Sequence, residues 1–244
     1  MENLKRWARI LDALLACRVV RVGFQGTTVL NFRPVFWSES GQEWFDAEIV
    51  PYFQEAFWAK KYGAIIDAGA AQGLFAVAAR KIQPQAQVFA FEPSLRQRIL
   101  MHKNLFLNRV HQGVKVIPCA LWDVPKILQF RTHGALSSLA ETCQLPPGFF
   151  YREKIRGVRL DDWSVDQKIC GPVLVKMDIE GAEIEAALGA KDWLSRVKPD
   201  LLVQAYHLRD GVRTLERVRR FLEDIGLTAT ESKKTPGLLL AQAN

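Results

Sequence analysis

The stretch IIDAGAAQG, Ile65–Gly73, joins a β-branched apolar run to a glycine-rich loop. The run predicts a buried strand that brings Asp67 to its end, because β-branched residues favour strands. Gly69 allows the chain to turn, and Gly73 allows a helix to begin close to the strand and to a bound ligand. The amino terminus of that helix offers free N–H groups to an anion. This stretch therefore predicts a strand–loop–helix unit with a binding site at the strand end.

Strand-like apolar runs alternate with helix-like segments from Tyr62 onward. This alternation predicts an α/β fold with parallel strands, helical crossovers and binding sites at the carboxyl ends of the strands. The last two runs flank the turn-rich KKTPG and predict a hairpin that ends in an antiparallel strand. The seven predicted strands are AIIDAG, QVFAFE, VKVIPCAL, PVLVKMD, DLLVQAY, LTATES and GLLLAQ, and helices are predicted over about 72–82, 95–108, 183–188 and 211–225.

Two regions depart from the alternation. Residues 1–60 are predicted to form a helical and extended cap on a domain that spans residues 61–244. Near the amino terminus an apolar helical stripe fits either a helix packed on the domain edge or one in weak contact with a membrane surface. An irregular insertion at about 124–164 contains KILQFRTHG and KIRGVRLDDW, both predicted to be extended, and the loop CQLPPGFFY; it either selects the substrate or pads the sheet edge. The apolar stripe consists of Leu4, Trp7, Leu11, Leu14 and Leu15.

Composition limits the compartment and the partners. The 244 residues are 49% hydrophobic, enough to bury one large core. Lys and Arg outnumber Asp and Glu by 33 to 26, and the resulting net charge of +7 favours anionic partners only through a general field. The 4 cysteines lack CxxC spacing, so no zinc site or disulfide framework is predicted and a reducing cytoplasm is expected. Neither a secretory signal nor a membrane span of ~20 apolar residues is recognisable.

Two carboxylates are predicted at the ends of adjacent strands. Asp67 would repel a pyrophosphate but suits a ligand that carries an amine or a sulfonium. With Ala71 at the middle glycine position of the dinucleotide fingerprint, this argues against a nicotinamide-dependent reductase. Glu92, in VFAFEPS, can accept hydrogen bonds from a ribose diol, or it can cap the helix that begins near Ser94. The ribose role is the preferred interpretation.

A charged cluster occupies a later strand-to-helix junction, in LVKMDIEGAEIEAAL. Asp178 is predicted at the strand end, where it can oppose a positive charge or orient a hydroxyl group. Glu180 and Glu183 fall in the first turn of the next helix, where the helix dipole favours negative charge, and Glu183 is expected to be structural. An unpaired buried lysine is costly, so Lys176 is predicted to pair with one of these acids.

Taken in order, these motifs resemble the FkbM family of S-adenosylmethionine-dependent methyltransferases. The resemblance runs from about Phe45 to about His207, and KMDIEGAE is its most specific part. Two positions depart from the family pattern: Ala71, where members commonly have Asn, and Gln204, where they commonly have Glu. The motifs are DxGAxxG, FEPS, CALWD at Cys119–Asp123, LDDW at Leu160–Trp163 and VKMDIEGAE at Val175–Glu183.

The resemblance implies a Rossmann-like class I methyltransferase fold. It also implies S-adenosylmethionine as methyl donor and an oxygen of a small molecule or glycan as acceptor. Asp123 would lie close to the adenine. The implied cofactor contacts are Asp67, Gly69, Ala70 and Gly73 at the methionine end, Glu92, Pro93 and Ser94 at the ribose, Ala120 and Leu121 at the adenine, and Asp178 at the methyl group.

An alcohol acceptor must lose a proton, so a general base is expected within about 3 Å of its hydroxyl group. His207, predicted at the end of the fifth strand on the same rim as Asp178, is the first candidate, and His133 in the insertion is the second. Spacing provides no metal-ligand set. The predicted catalytic group is Asp178, His207, Lys176 and Glu180.

Two other functions remain as alternatives. A non-catalytic binding module of the same fold would be consistent with Ala71 and Gln204. A nucleic-acid methyltransferase is suggested by the net charge and by the arginines of residues 209–220, but these alternate with apolar residues as on the solvated face of a packed helix, and Asp178 has no NPPY-like motif near it. Nucleic acid is therefore not expected as a partner. The FFY run at 149–151, with Arg152, either stacks on the acceptor or packs the insertion against the sheet.

Overall fold

The computed structural model describes residues 18–21, 35–38, 42–133, 136–139, 151–209 and 211–243. The predicted amino-terminal stripe lies outside these residues, as does the loop Cys143–Phe150. The strands are β1 (Arg18–Arg21), β2 (Val35–Ser38), β3 (Ala64–Ala68), β4 (Gln87–Phe91), β5 (Val114–Ile117), β6 (Ala120–Leu121), β7 (Lys126–His133), β8 (Leu136–Leu139), β9 (Tyr151–Val158), β10 (Val173–Met177), β11 (Asp200–Gln204), β12 (Leu208–Arg209), β13 (Val212–Arg213), β14 (Leu227–Glu231) and β15 (Leu238–Ala243). The helices are α1 (Gln42–Glu48), α2 (Val50–Phe53), α3 (Leu74–Ile82), α4 (Leu95–Leu107), α5 (Leu160–Trp163), α6 (Glu183–Leu188), α7 (Lys191–Val197) and α8 (Thr214–Asp224), with 3-10 turns at Ala56–Ala59, His111–Gly113 and Ser164–Asp166.

The central sheet has seven strands in the order β14-β15-β11-β10-β3-β4-β5. Neighbouring strands from β11 to β5 are parallel, whereas β15 is antiparallel to both of its neighbours, β11 and β14. This arrangement confirms the predicted Rossmann-like, mostly parallel sheet. The last strand of the chain is the antiparallel one, and it is inserted between β11 and β14, so that β14 forms the edge.

Helices cover both faces of the sheet, which explains why its inner strands β3 and β10 are buried along their whole length. Ile65 packs into one core and Ile66 into the other, because successive side chains of a strand point to opposite faces. Phe75 belongs to the first core and Trp193 to the second. No helix among the described residues combines the length and the apolar character needed to cross a membrane.

Two helix starts and two predicted strands differ from the prediction for local reasons. Helix α3 begins at Leu74 because Gly73 adopts a left-handed conformation with φ 77°. Helix α8 begins at Thr214 because the two residues before it form β13. The run VKVIPCAL forms two strands in different sheets, β5 and β6, separated by Pro118, which has no N–H to donate. LDDW, predicted to be extended, forms helix α5, whose first turn carries two aspartates at the favourable end of the helix dipole.

Residues 42–60 pack into the first core rather than beside it. Phe53 lies 5.2 Å from the ring of Phe75 in a stacked arrangement and 4.6 Å from the ring of Trp58. Both rings of the amino-terminal segment are buried in the core to which α3 contributes. The boundary between residues 60 and 61 stays a prediction, but residues 45–58 of the cap share their core with the following domain.

The insertion forms most of a second, four-stranded sheet in the order β6-β9-β7-β8. Strands β7 and β9 pair antiparallel over most of their length and correspond to the two predicted extended segments. A small apolar cluster, which includes Trp122, Leu128 and Ile155, packs this sheet against the turn that precedes α6. The insertion therefore lies next to the carboxyl edge of the central sheet.

Candidate functional site

A cavity opens at the carboxyl edge of the central sheet, where the parallel strands β3, β4 and β10 end. Its lining includes the loop 69–72 after β3, residues 92–93 after β4, Ala120 and Leu121 after β5, and residues 178–180 after β10. Each of these segments follows a strand of the same parallel sheet. The cavity is therefore located where ligands bind in doubly wound α/β proteins.

The loop after β3 lies directly against the end of β10. Gly69 adopts φ 75°, and a Cβ added there would lie 1.9 Å from the carbonyl oxygen of Asp178. The N–H groups of Gly69 and Ala70 both donate to the carbonyl oxygen of Phe91, at 3.1 and 3.0 Å. Ala71 also adopts a left-handed conformation, with φ 44°, which an alanine tolerates poorly. These contacts hold the backbone of the loop at the cavity wall.

Glu92 is a buried carboxylate held by two backbone donors. Its Oε2 accepts a hydrogen bond from the N–H of Ala71 at 2.8 Å, and its Oε1 accepts one from the N–H of Ser94 at 2.7 Å. Burial raises the pKa of Glu92 to about 7, although both backbone donors and the charges of Arg98 and Lys176 act in the opposite direction. Glu92 lines the cavity, with Pro93 beside it. The acceptor atoms are thus fixed in direction and still have lone pairs for a ligand.

Lys176 pairs with Asp67, which corrects the prediction that it would pair with an acid of its own motif. The two residues are direct partners across the β10–β3 ladder, and Lys176 Nζ lies 3.2 Å from Asp67 Oδ1. Lys176 Nζ also donates to the carbonyl oxygen of Gly69 at 2.9 Å. Asp67 is completely buried and does not line the cavity, whereas its partner Lys176 does. Lys176 is therefore placed to hold the loop.

Two further predicted cofactor contacts lie behind the cavity wall. A Cβ added to Gly73 would lie 2.5 Å from Cγ of Met101, so this glycine allows α3 to approach α4 closely. Ser94 is completely buried, and it supports Glu92 through its N–H group. Neither residue is among those that line the cavity. Gly73 packs against α4 instead, and Ser94 donates its N–H group to Glu92.

The other end of the cavity is apolar. Ala120 and Leu121 line it, together with Phe91 and Phe130. Phe130 comes from β7, so the insertion contributes directly to this wall. Asp123 is not among the lining residues. A flat apolar ring system would find contact here on several sides.

Asp178 lines the cavity and accepts a hydrogen bond from a residue that the sequence did not indicate. Tyr52 Oη donates to Asp178 Oδ2 at 2.9 Å. Burial, followed by the charge of Asp178, raises the pKa of Tyr52 well above its ordinary value. Glu48 lines the cavity nearby, and partial burial together with the charges of Asp178 and Glu180 raises its pKa. Short helices such as α1 and α2 carry no motif, so no sequence signal identifies these two residues.

His207 does not line the cavity, which differs from its predicted position as the first candidate base. Its Nε2 lies 2.9 Å from Glu180 Oε2, and its Nδ1 is buried with no hydrogen-bond partner among the residues that the structure describes. Burial lowers the pKa of His207, but the hydrogen bond to Glu180 and the charges of Glu183, Glu180 and Asp178 raise it, and the net direction is upward. Glu180, in a left-handed conformation with φ 56°, is the member of this pair that lines the cavity.

The remaining predicted residues have structural partners or lie outside the described side chains. Glu183 is completely buried, and its Oε1 accepts a hydrogen bond from the N–H of Gly181 at 2.9 Å. In LDDW, Asp161 Oδ1 accepts a hydrogen bond from the N–H of Trp193 at the start of α7, at 2.8 Å. The side chain of His133 is outside the described part of the structure. Within that part, no three His, Cys, Asp or Glu side chains converge in a way that could hold a metal ion.

Comparison with known proteins identifies relatives of this chain. Residues 67–227 match the family model of the methyltransferase FkbM domain. The methyltransferase sdnD of Sordaria araneosa is 26% identical over 197 residues, which cover 69% of this chain and 75% of that protein. The crystal structure of a methyltransferase FkbM from Methylobacillus flagellatus superposes with a TM-score of 0.52 and 17% identity over 74% of this chain, which spans 43% of that protein. The likeness to this crystal structure shows a common fold.

Proposed function

Because this chain belongs to the FkbM methyltransferase family, we propose that it uses S-adenosylmethionine to methylate a hydroxyl oxygen of a small molecule or glycan. The observation that carries the proposal is the position of Glu92. Its carboxylate is held by the N–H groups of Ala71 and Ser94 in the same cavity as Asp178. Two hydrogen-bond acceptors, the carboxylate oxygens of Glu92, are thus fixed at the end of β4, and such a pair suits a ribose diol.

The donors and acceptors of the cavity fit this cofactor. Leu121 and Phe130 would contact the adenine, and Glu92 would accept hydrogen bonds from the ribose hydroxyls. The backbone of Gly69 and Ala70 would lie along the methionine part. A positively charged sulfur is compatible with the acidic side chains of this cavity, whereas a pyrophosphate is not.

S-adenosylmethionine, when bound, supplies a methyl group on a positively charged sulfur atom. Much of the catalysis can then come from alignment of the acceptor and exclusion of water. The hydroxyl proton of the acceptor needs a base, and Asp178 has one carboxylate oxygen, Oδ1, that Tyr52 does not occupy. Asp178 is therefore the base that we propose, and Glu180, which also lines the cavity, is the second candidate.

Isothermal titration calorimetry tests the cofactor. The wild-type chain should bind S-adenosylmethionine and its demethylated product, S-adenosylhomocysteine, and should not bind NADH. Glu92→Ala should lose both sulfur compounds. Glu55→Ala is the matched control, because Glu55 is also a buried glutamate and accepts a short hydrogen bond from Ser232 Oγ, at 2.7 Å, but does not line the cavity.

Binding of NADH alone, or undiminished binding by Glu92→Ala, would contradict the proposed cofactor site. Once cofactor binding is established, a second experiment searches for the acceptor. The protein is incubated with methyl-labelled S-adenosylmethionine and hydroxylated small molecules or glycans. Transfer of label to an oxygen supports the proposal. Cofactor binding without transfer to any such compound would favour the non-catalytic binding module.

A further inference from the structure

Tyr52 reaches the cavity from outside the region that the family model matches. It belongs to α2, Val50–Phe53, whereas the matched region begins at residue 67. Its side chain is nevertheless in contact with Asp178, with 2.9 Å between Tyr52 Oη and Asp178 Oδ2. Glu48 and Ile49, just before α2, line the same cavity. The segment before the matched region therefore contributes to the wall of the site.

The Tyr52 side chain is fixed in place from several sides. Only 3% of the residue is exposed. Its ring meets the ring of Phe75 edge-on, with 5.7 Å between the centroids, and lies 5.7 Å from Lys176 Nζ. Its carbonyl oxygen accepts a hydrogen bond from Trp58 Nε1 at 2.7 Å. A hydroxyl group held this firmly allows the carboxylate of Asp178 only a narrow range of orientations.

We propose that Tyr52 is a positioning residue, which fixes the carboxylate of Asp178 so that Oδ1, the oxygen proposed to accept the acceptor's proton, also lies near enough to the positively charged sulfur of the cofactor to favour it. This inference rests on the proposed function, because it requires S-adenosylmethionine in the cavity. A hydrogen bond to one carboxylate oxygen directs the second oxygen without neutralising the charge. Lys176 cannot take over this role, since its ammonium group already contacts Asp67 and the carbonyl oxygen of Gly69.

The difference between two ligands isolates this interaction. S-adenosylmethionine carries a positive sulfur, whereas S-adenosylhomocysteine lacks the methyl group and carries a neutral sulfur, with the adenosine and amino-acid parts unchanged. A nearby oriented carboxylate therefore favours the first ligand, and the ratio of the two dissociation constants reports the orientation of Asp178. Contacts to the adenine and ribose cancel in this ratio.

The experiment measures both dissociation constants by calorimetry for wild type, Tyr52→Phe and Tyr62→Phe. Tyr62 is the matched control, because it lies close by in the chain, is buried and donates to a sheet aspartate, with 2.8 Å between its Oη and Asp200 Oδ2, but does not line the cavity. Tyr52→Phe should lower the preference for S-adenosylmethionine by about tenfold, the size of one charge-assisted hydrogen bond. Its affinity for S-adenosylhomocysteine and both constants of Tyr62→Phe should stay within about twofold of wild type.

Binding of S-adenosylhomocysteine shows in the same sample that the cavity has folded. Asp178→Asn, which keeps the tyrosine, should reduce the same preference, and adding Tyr52→Phe to it should have no further effect. An unchanged preference in Tyr52→Phe, or an equal loss in Tyr62→Phe, would overturn the positioning role while leaving the proposed function intact. If the wild-type chain binds neither sulfur compound, the proposed function and this inference are both wrong.

Discussion

Cofactor affinity should fall as the pH is lowered through 7, because the ribose acceptor is a buried carboxylate. Burial raises the pKa of Glu92 to about 7. Only the ionised form offers both oxygens as acceptors, since a protonated carboxyl group presents a donor on one of them. The ionised fraction is about nine-tenths at one pH unit above the pKa and about one-tenth at one unit below it, so affinity should fall about tenfold from about pH 8 to about pH 6.

The assay is calorimetry with S-adenosylhomocysteine across this pH range. This ligand is chosen because it has no sulfonium charge, which could add a second pH dependence to the affinity. Glu92→Gln should bind weakly at every pH and show a flat profile. The comparison is needed because burial raises the pKa of Glu183 to about 7 as well, although Glu183 does not line the cavity. A flat wild-type profile, or a tenfold step that persists in Glu92→Gln, would refute the assignment to Glu92.

The same shift has the opposite effect on the stability of the unliganded protein. The folded-state pKa of Glu92, about 7, lies above its ordinary value of 4.5. Between these two values the folded chain binds more protons than the unfolded chain, so this contribution to stability is complete below 4.5 and is lost as the pH rises through 7. Buried Glu92 therefore favours folding in acid and cofactor binding above neutral pH.

Three further substitutions test the packing behind the cavity, each followed by urea unfolding. Gly69→Ala should destabilise by about 3 kcal/mol or more and abolish cofactor binding, whereas Gly211→Ala, at a similar φ of 76° with no atom within 4 Å of the new Cβ, should cost only about 1 kcal/mol. Lys176→Met should destabilise by about 3–5 kcal/mol because it leaves a buried aspartate without its cation, whereas the half-exposed Lys60→Met should cost about 1 kcal/mol or less. Ala71→Gly should stabilise by about 0.5–1 kcal/mol because it relieves the left-handed alanine.

Equal losses for Gly69→Ala and Gly211→Ala would show that the close approach at Gly69 does not explain the result. Equal losses for Lys176→Met and Lys60→Met would show the same of the buried charge at Lys176. Destabilisation by Ala71→Gly would show that the loop conformation carries no strain at this position. Each of these outcomes is independent of the identity of the acceptor. They therefore test the structure of the site separately from its function.

The fold was predictable from the sequence because its signals are local. Apolar runs, the turn at Gly69 and the hairpin link KKTPG each specify a structure within a few residues. Apart from the departures in secondary structure, which have local causes, the prediction failed where a contact depends on distant parts of the chain. The partner of Lys176 is an example: the spacing within one strand shows which acids share its face, but only the register between β10 and β3 places Asp67 opposite it.

The candidate site was predictable only in part, for the same reason. Glu92 and Asp178 follow strands of a parallel sheet, so their convergence follows from topology alone. Gly73 has the same local signal as a ligand-binding glycine, yet the close approach of Met101 explains equally well why no side chain fits there. Tyr52 belongs to a four-residue helix without periodicity, and its contact with Asp178 spans two distant parts of the chain.

The charged cluster at the junction between β10 and α6 serves four different contacts. Lys176 connects to β3 through Asp67, and Glu180 connects to His207 after β11. Glu183 closes the turn on itself by accepting the N–H of Gly181. Asp178 lines the cavity and accepts a hydrogen bond from Tyr52, in the segment before the matched family region. Because the contacts of Lys176, Asp178 and Glu180 attach the junction to separate parts of the fold, loss of the Lys176 or the Glu180 contact should shift the carboxylate of Asp178 without removing it. The ratio of affinities for the charged and neutral sulfur compounds should detect that shift.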